Sequence, residues 1–448
     1  MDEASRLRAL TPCNSNSELA VATIKYRIVR LVVCGRHGFP VETPPSMHCP
    51  DFIARRCRSC GLLDHSYEQS LEVKHRALRE LFRNINVLPF VPVTSSAGSR
   101  IRAKLAVFGS LEHPQIGFLD EQKQVVAVDQ CPLHHTLINE FTRQLPDIIR
   151  EARLTPYDRL TDRGELKFIV VTCSPISRNL MVQFVLRSRE AVDRIRSLWR
   201  RFSLPFAPSQ GEKVAVRPDE GVRRASIGPE DTNVSVLSVN LQPVRSSLIN
   251  GSDEIPISVQ TSLSIQFGST ELLFGPQSFL QTNHEIASLL YAAAGQTLRE
   301  GSSENVLDLY CGVGAFALTA AATARSVLGI DVSVNAIECA IEAARINGAA
   351  HARFLCSSLD QFTANELPSQ QFDTVICNPP RRGLDDASIA LILTVRPATL
   401  VYSSCNPVTL ARDLERLARD YRLLQLQPFD MFPFTSHCEV LAVLQPVS

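Results

Sequence analysis

From about residue 304 onward the sequence predicts an α/β fold, a parallel doubly wound sheet, and three observations carry that prediction. Short apolar runs alternate with stretches of helical spacing roughly 10–15 residues long, the pattern of βαβ units. The first apolar run opens into a turn with two glycines, "DLYCGVGAF". The second ends on a carboxylate, Asp331, where an open sheet presents side chains to a ligand.

The elements follow in order. "NVLDLY" reads as a buried strand, and "CGVGAFALTAAATA" as the glycine turn entering a small-residue helix. "SVLGID" is the next strand. "SVNAIECAIEAARING" is a helix with Ser333 as its cap and Gly348 at its end. "ARFLCSS", "FDTVICN" and "ATLVYSS" give three more strands, and "QLQPFDMF" and "HCEVLAVLQ" the closing ones. After Pro407, "VTLARDLERLARDY" places Leu410, Leu414 and Leu417 on one helical face.

The strand ends carry the chemistry. Gly312 and Gly314 let the backbone approach a ligand, and Asp331 suits the two hydroxyls of a ribose. A dinucleotide fingerprint wants a third glycine where this chain has Ala317, so the turn fits any ribose-bearing cofactor. Asn378-Pro379-Pro380 makes a stiff turn, because each proline fixes φ and lacks a donor. Amino-directed methyltransferases follow such a turn with an aromatic residue, and here Arg381 follows. Cys405, in "SSCNPVTLARDL", ends a strand at the sheet's ligand edge.

The 448 residues are 45% hydrophobic and 21% charged, ordinary for a globular protein large enough for two or three domains. Neither a membrane helix nor a secretory leader is evident, so a cytoplasmic protein is expected. Net charge is zero but uneven: residues 256–448 hold 11 Arg against 18 Asp and Glu, or −7, which leaves +7 for residues 1–255. Of 46 basic residues six are lysine; arginine suits phosphates and unpaired bases, although codon bias and solvated faces account for it equally well. Thirteen cysteines with no evident disulfide framework point to reactive or ligating roles.

"PQSFLQTN", "DLYCGVGAF", "CNPPRRG", "SSCNPVTLARDL" and "FDMFPFTSHCEVL", in that order, resemble the S-adenosylmethionine-dependent RNA uracil-C5 methyltransferases. The resemblance implies a class I, Rossmann-like methyltransferase domain. It implies Cys405 as nucleophile toward carbon 6 of uracil and Glu439 as the base that removes the carbon 5 proton. It implies that Gln281, Tyr310, Asp331 and Asn378, with Gly312 and Gly314, line the S-adenosylmethionine site. Cys377 sits where cytosine-directed enzymes place a cysteine, but in "CNPP" order, and reads as packing, as does Cys311; Cys438 alternates with Glu439 and should face the other side of its strand. Phe434 stands where the family often has histidine, so any polar role there is lost or moved.

In the first half, Cys49, Cys57 and Cys60 are spaced C-x7-C-x2-C, with Cys131 as a fourth candidate. Spacing alone suits a zinc or an iron–sulfur cluster, zinc slightly better; the resemblance implies a [4Fe–4S] cluster. Arg100, Arg102 and Lys104 alternate along "SRIRAKLAVFG" and are candidates for RNA phosphates, or simply solvated strand charge. "SLEVKHRALRELF" reads as an amphipathic packing helix, and 203–235 as a loop or insertion. The likeness spans about residues 47–448 and is strongest to members acting on 23S rRNA. Met47 directly precedes "HCPDF", so residues 1–46 are expected to be an extension from a mis-assigned start. The expected organisation is an iron–sulfur-bearing α+β RNA-binding domain at 47–255 and the methyltransferase domain at 256–448, a presumed monomer. Its expected substrate is a uridine flipped out of a 23S rRNA loop. The same chemistry on tRNA or another rRNA site, or an RNA-binding protein with a relic site, are the alternatives.

Overall fold

The computed structural model describes residues 47–119, 125–128, 130–202, 233–244, 249–301, 303–365 and 371–447. Residues 1–46, including Cys13 and Cys34, and most of the 203–235 segment lie outside these. The last three residues of that segment open a strand rather than a loop.

Two seven-stranded sheets organise the chain. The first uses β1 (Arg102–Gly109), β2 (Pro114–Leu119), β3 (Val125–Ala127), β4 (Leu166–Cys173), β5 (Asn179–Leu186), β6 (Asn233–Leu241) and β7 (Asp253–Pro256), ordered β3-β2-β1-β4-β5-β6-β7. Its pairs are antiparallel except β5–β6. Helices Thr136–Glu151 and Val192–Phe202 contribute apolar residues such as Leu145, Ile149 and Ile195 to the same core as these strands. A hairpin of β8 (Leu263–Phe267) and β9 (Thr270–Phe274) follows.

The second sheet uses β10 (Asn305–Leu309), β11 (Ser326–Asp331), β12 (Ala352–Cys356), β13 (Thr374–Cys377), β14 (Thr399–Ser404), β15 (Tyr421–Phe429) and β16 (Glu439–Pro446), ordered β12-β11-β10-β13-β14-β16-β15. Five strands are parallel, as expected. The sheet is not parallel throughout, because β16 runs antiparallel between β14 and β15. The short connection 430–438 permits that reversal, whereas a parallel return needs a crossover. Order reverses between β10 and β13, so the ends of β10, β11, β13 and β14 face one crevice.

The first half also protects the second sheet's open edge. Leu88 N and Val91 N donate to Leu426 and Pro428 carbonyls of the edge strand β15, at 3.0 and 2.9 Å, and Asp430 N returns a bond to Val91 O. Pairing an edge in this way removes a site for aggregation. The helix Tyr67–Leu81, begun by a Ser66–Gln69 capping box, sends Lys74 into the interior. Its Nζ meets Asp430 Oδ1 at 2.5 Å, and Tyr67 Oη donates to Asp430 Oδ2 at 2.8 Å. Phe434, expected to mark a lost polar position, is buried edge-to-face on Tyr67, and its carbonyl accepts from Leu62 N. The expected packing role of this helix is therefore carried by a buried ion pair beside the connection into β16.

Candidate active site

Cys405 follows the last residue of β14, and Asn406 caps the helix Pro407–Leu417 by accepting from Val408 N at 3.2 Å. The β14–β16 register pairs Ser403 with Leu441 and Ser404 with Val440. One further step sets Cys405 opposite Glu439, and opposite residues of an antiparallel pair share a face. Glu439 is 0% exposed. Ser403 Oγ donates to its Oε1 at 2.6 Å, while Oε2 has no partner. Burial pushes the Glu439 carboxyl up to about 7, against the lowering effects of the Ser403 hydroxyl and the Gln281 amide. A carboxyl held there is half deprotonated near neutrality, which suits a general base.

Four cysteines crowd this sheet edge and differ in surroundings. Cys377, Cys311 and Cys438 are buried. Burial pushes the Cys438 thiol up to about 12 and those of Cys377 and Cys311 well above the usual range. Cys405 is half-buried. Burial and then the Glu439 charge raise its thiol, and the Arg381 guanidinium opposes both, by charge and by hydrogen bonding. Arg381 was read from the sequence only as a missing aromatic; its place directly after the Asn-Pro-Pro turn is the signal that could have identified it. The turn is held in place because Asn406 Nδ2 donates to Arg381 O at 2.9 Å.

The remaining expected residues surround the crevice. Tyr310 takes a left-handed φ of 61° after β10, and its hydroxyl meets Ser388 Oγ at 2.5 Å. Asp331 Oδ2 accepts from Gly312 N at 3.0 Å and Oδ1 from Ser333 N at 2.9 Å, which fixes the carboxylate and leaves each oxygen further acceptor capacity. The two glycines differ. A Cβ on Gly312 would meet nothing within 4 Å, so the turn is open to a ligand there, whereas one on Gly314 would strike Phe354 at 2.9 Å. Gly314 serves packing first. Asn378 follows the end of β13, its amide 3.4 Å from Leu309 O. Gln281 is buried beside Glu439, with Nε2 unpartnered. Asp308 was missed: it is 0% exposed in β10, and burial pushes its carboxyl well above the carboxylate range, against the lowering effect of the Ala317 backbone amide. The charge inside the apolar run "NVLDLY" was its sequence signal.

The expected RNA-facing strand is turned inward in part. Arg102 donates at 2.6 Å to the carbonyls of both Pro276 and Ser278, bracing the loop that carries Gln281. Arg100 and Lys104 line a cavity of about 260 Å³ together with Cys49, Cys57, Cys60 and Cys131. All four thiols are free, and their charges act on one another and on Arg100. Among the described residues, no three His, Cys, Asp or Glu side chains converge on a point that would hold one metal ion. Phe279 lies two residues before Gln281 with 64% of its surface exposed. Among the described residues no helix is long and apolar enough to cross a membrane.

Known proteins resemble this chain over most of its length. Residues 257–446 match the family model described as tRNA (Uracil-5-)-methyltransferase. The chain is 36% identical over 400 residues to the 23S rRNA (uracil(747)-C(5))-methyltransferase of Yersinia enterocolitica, covering 89% of this chain and 99% of that one. It is also 36% identical over 405 residues to the Pectobacterium atrosepticum protein of the same description, at 89% and 100% coverage. Among solved structures, the Pyrococcus abyssi tRNA (uracil-54, C5)-methyltransferase in complex with S-adenosyl-L-homocysteine superposes with a TM-score of 0.67 and 27% identity, over 86% of this chain and 85% of that one.

Proposed function

Because the chain belongs to the RNA uracil-C5 methyltransferase family, S-adenosylmethionine-dependent enzymes of class I fold, we propose that it methylates carbon 5 of a uridine in 23S rRNA, at position 747. The observation that carries the mechanism is Cys405: half-buried, flanked by a guanidinium, and set by register across from a buried carboxylate of raised pKa.

Carbon 5 of uracil is a poor nucleophile. The Cys405 thiolate adds to carbon 6, and the electrons move to the ring carbonyl as an enolate, which makes carbon 5 nucleophilic. Arg381 favours the thiolate form of Cys405 at this step. When bound, S-adenosylmethionine supplies an electrophilic methyl group, which passes to carbon 5 and leaves a neutral thioether. Glu439 then takes the carbon 5 proton, and the returning electrons expel the Cys405 thiolate. Asp331 would hold the ribose, Tyr310, Gly312 and Asn378 the rest of the crevice wall, and Asp308 would accept from an amino group. The reacting base must leave its stack to reach a thiol at a strand end.

The four-cysteine cavity suits a [4Fe–4S] cluster. Cys49, Cys57, Cys60 and Cys131 line that cavity and would hold the cluster, with Arg100 beside them to offset its charge. Such a cluster would supply a rigid crosslink between the segment 49–60 and the strand region around Cys131. In this reading, residues 47–255 present the RNA and 256–448 perform the transfer.

Nucleoside mass spectrometry of 23S rRNA and tRNA, from cells with and without the gene, tests the substrate. Loss of one 5-methyluridine from a 23S fragment is expected. Loss from tRNA would retain Cys405 and Glu439 in their roles and overturn the rRNA assignment. Iron and sulfide after anaerobic purification test the cluster, and one equivalent of zinc without iron would overturn it.

A further inference from the structure

We infer that Ser403 is a positioning residue for Glu439, its hydroxyl engaging Oε1 and so leaving Oε2 as the atom that takes the proton from carbon 5. The inference rests on the roles proposed for Cys405 and Glu439. Ser403 is fully buried in β14, two residues before Cys405 and on the same face of the strand. Its Oγ lies 2.6 Å from Glu439 Oε1, the length of a strong bond to an ionised acceptor. Oε2 is equally buried and has no partner in the protein. Of a carboxylate's two oxygens, one is thus engaged and the other free, on the face that Cys405 shares.

The groups facing Glu439 leave this task to Ser403. Cys405 lies across the strand pair, and Cys438 precedes Glu439 on its own chain. Tyr291 from the helix His284–Glu300 feels the Glu439 charge, and the Gln281 amide lies alongside. Of these four, the Gln281 amide also lowers the carboxyl, less than Ser403 does, but it makes no hydrogen bond of normal length to either oxygen. The hydroxyl does two things at once. It fixes the carboxylate plane, and it favours the charged form, keeping the base deprotonated nearer neutrality than burial alone would.

The order of steps makes the test selective. Glu439 acts after the methyl has moved, so a misplaced base lets the thiolate add and the methyl transfer, then delays release. Ser403→Ala should lower turnover roughly tenfold, raise the fraction of enzyme covalently bound to RNA on a denaturing gel at steady state, and move the acid limb of the pH–rate profile upward. Ser403→Thr, which retains the hydroxyl, should restore the limb and the rapid release. KM for RNA and for S-adenosylmethionine should stay within about twofold, since Ser403 is fully buried and reaches neither substrate in this reading. If Ser403→Ala loses adduct formation along with activity, the residue is merely structural and the inference falls. If Glu439→Gln traps RNA while Ser403→Ala neither traps it nor moves the limb, the inference alone fails. If Glu439→Gln itself traps nothing, the proposed base fails, and this inference with it.

Discussion

Cys377 and Cys405 end neighbouring parallel strands of one sheet, yet their surroundings oppose each other. Cys377 is the last residue of β13, in register with Tyr402 of β14, fully buried and raised by burial and by the charges of Asp308 and Asp413. Cys405 stands one residue beyond β14, half-buried, with Arg381 beside it. A single step past the strand end exchanges a packed core for a crevice, where a neighbouring cation opposes the effect of burial on the thiol. Sheet position makes both candidates; burial and charge choose between them.

The largest effect should come from exchanging the two thiols' fates. Cys405→Ala should abolish methyl transfer by at least roughly 10⁴-fold, and Cys377→Ala should leave it within a few fold, read as 5-methyluridine formed on a 23S fragment. Equal losses from both would break the comparison. Next comes the support that keeps Glu439 across from Cys405. Lys74→Met leaves Asp430 buried without its cation beside the 430–438 connection and should cost about 3–5 kcal/mol in chemical denaturation. A change under about 1 kcal/mol would mean the pair is not what holds that connection.

Glu439 itself gives a sign that can be checked. Its carboxyl rises from an ordinary 4.5 to about 7 in the folded protein. Between those values the folded state binds more protons than the unfolded one, so stability is greatest below 4.5 and falls as pH rises through about 7. Glu439→Gln removes that slope and should gain on the wild type by roughly 3 kcal/mol between pH 4 and pH 8. A constant difference across that range would contradict the burial argument. The smallest effect sharpens the role of the cation: Arg381→Met should slow iodoacetamide alkylation of Cys405 at pH 7.5 roughly tenfold, and leave Cys377 as unreactive as before.

Much of the second half was legible because its periodicities are local. The strands of "NVLDLY" and "ATLVYSS" and the Ser333-capped helix are written in apolar spacing and caps, and they lie where those signals put them. The antiparallel insertion of β16 was not, since strand direction depends on what a neighbouring strand does. Glu439 was placed at the start of its strand, but its cross-strand partner and the Ser403 bond arise only from register. Arg102 shows the same limit: alternation put it on a face with Arg100 and Lys104, and only the fold shows that face bracing the Gln281 loop. The cysteine quartet was legible from spacing plus one distant residue, while its closeness to Arg100 was not.

The most direct test of the account is covalent capture. Glu439→Gln protein, incubated with S-adenosylmethionine and a 23S rRNA fragment bearing the target uridine, should accumulate a denaturant-stable RNA–protein band. The trapped uracil should already carry its methyl group, and the band should vanish in the Cys405→Ala, Glu439→Gln double variant. No band, or one that survives loss of Cys405, would contradict the assignment of nucleophile and base on which the mechanism stands.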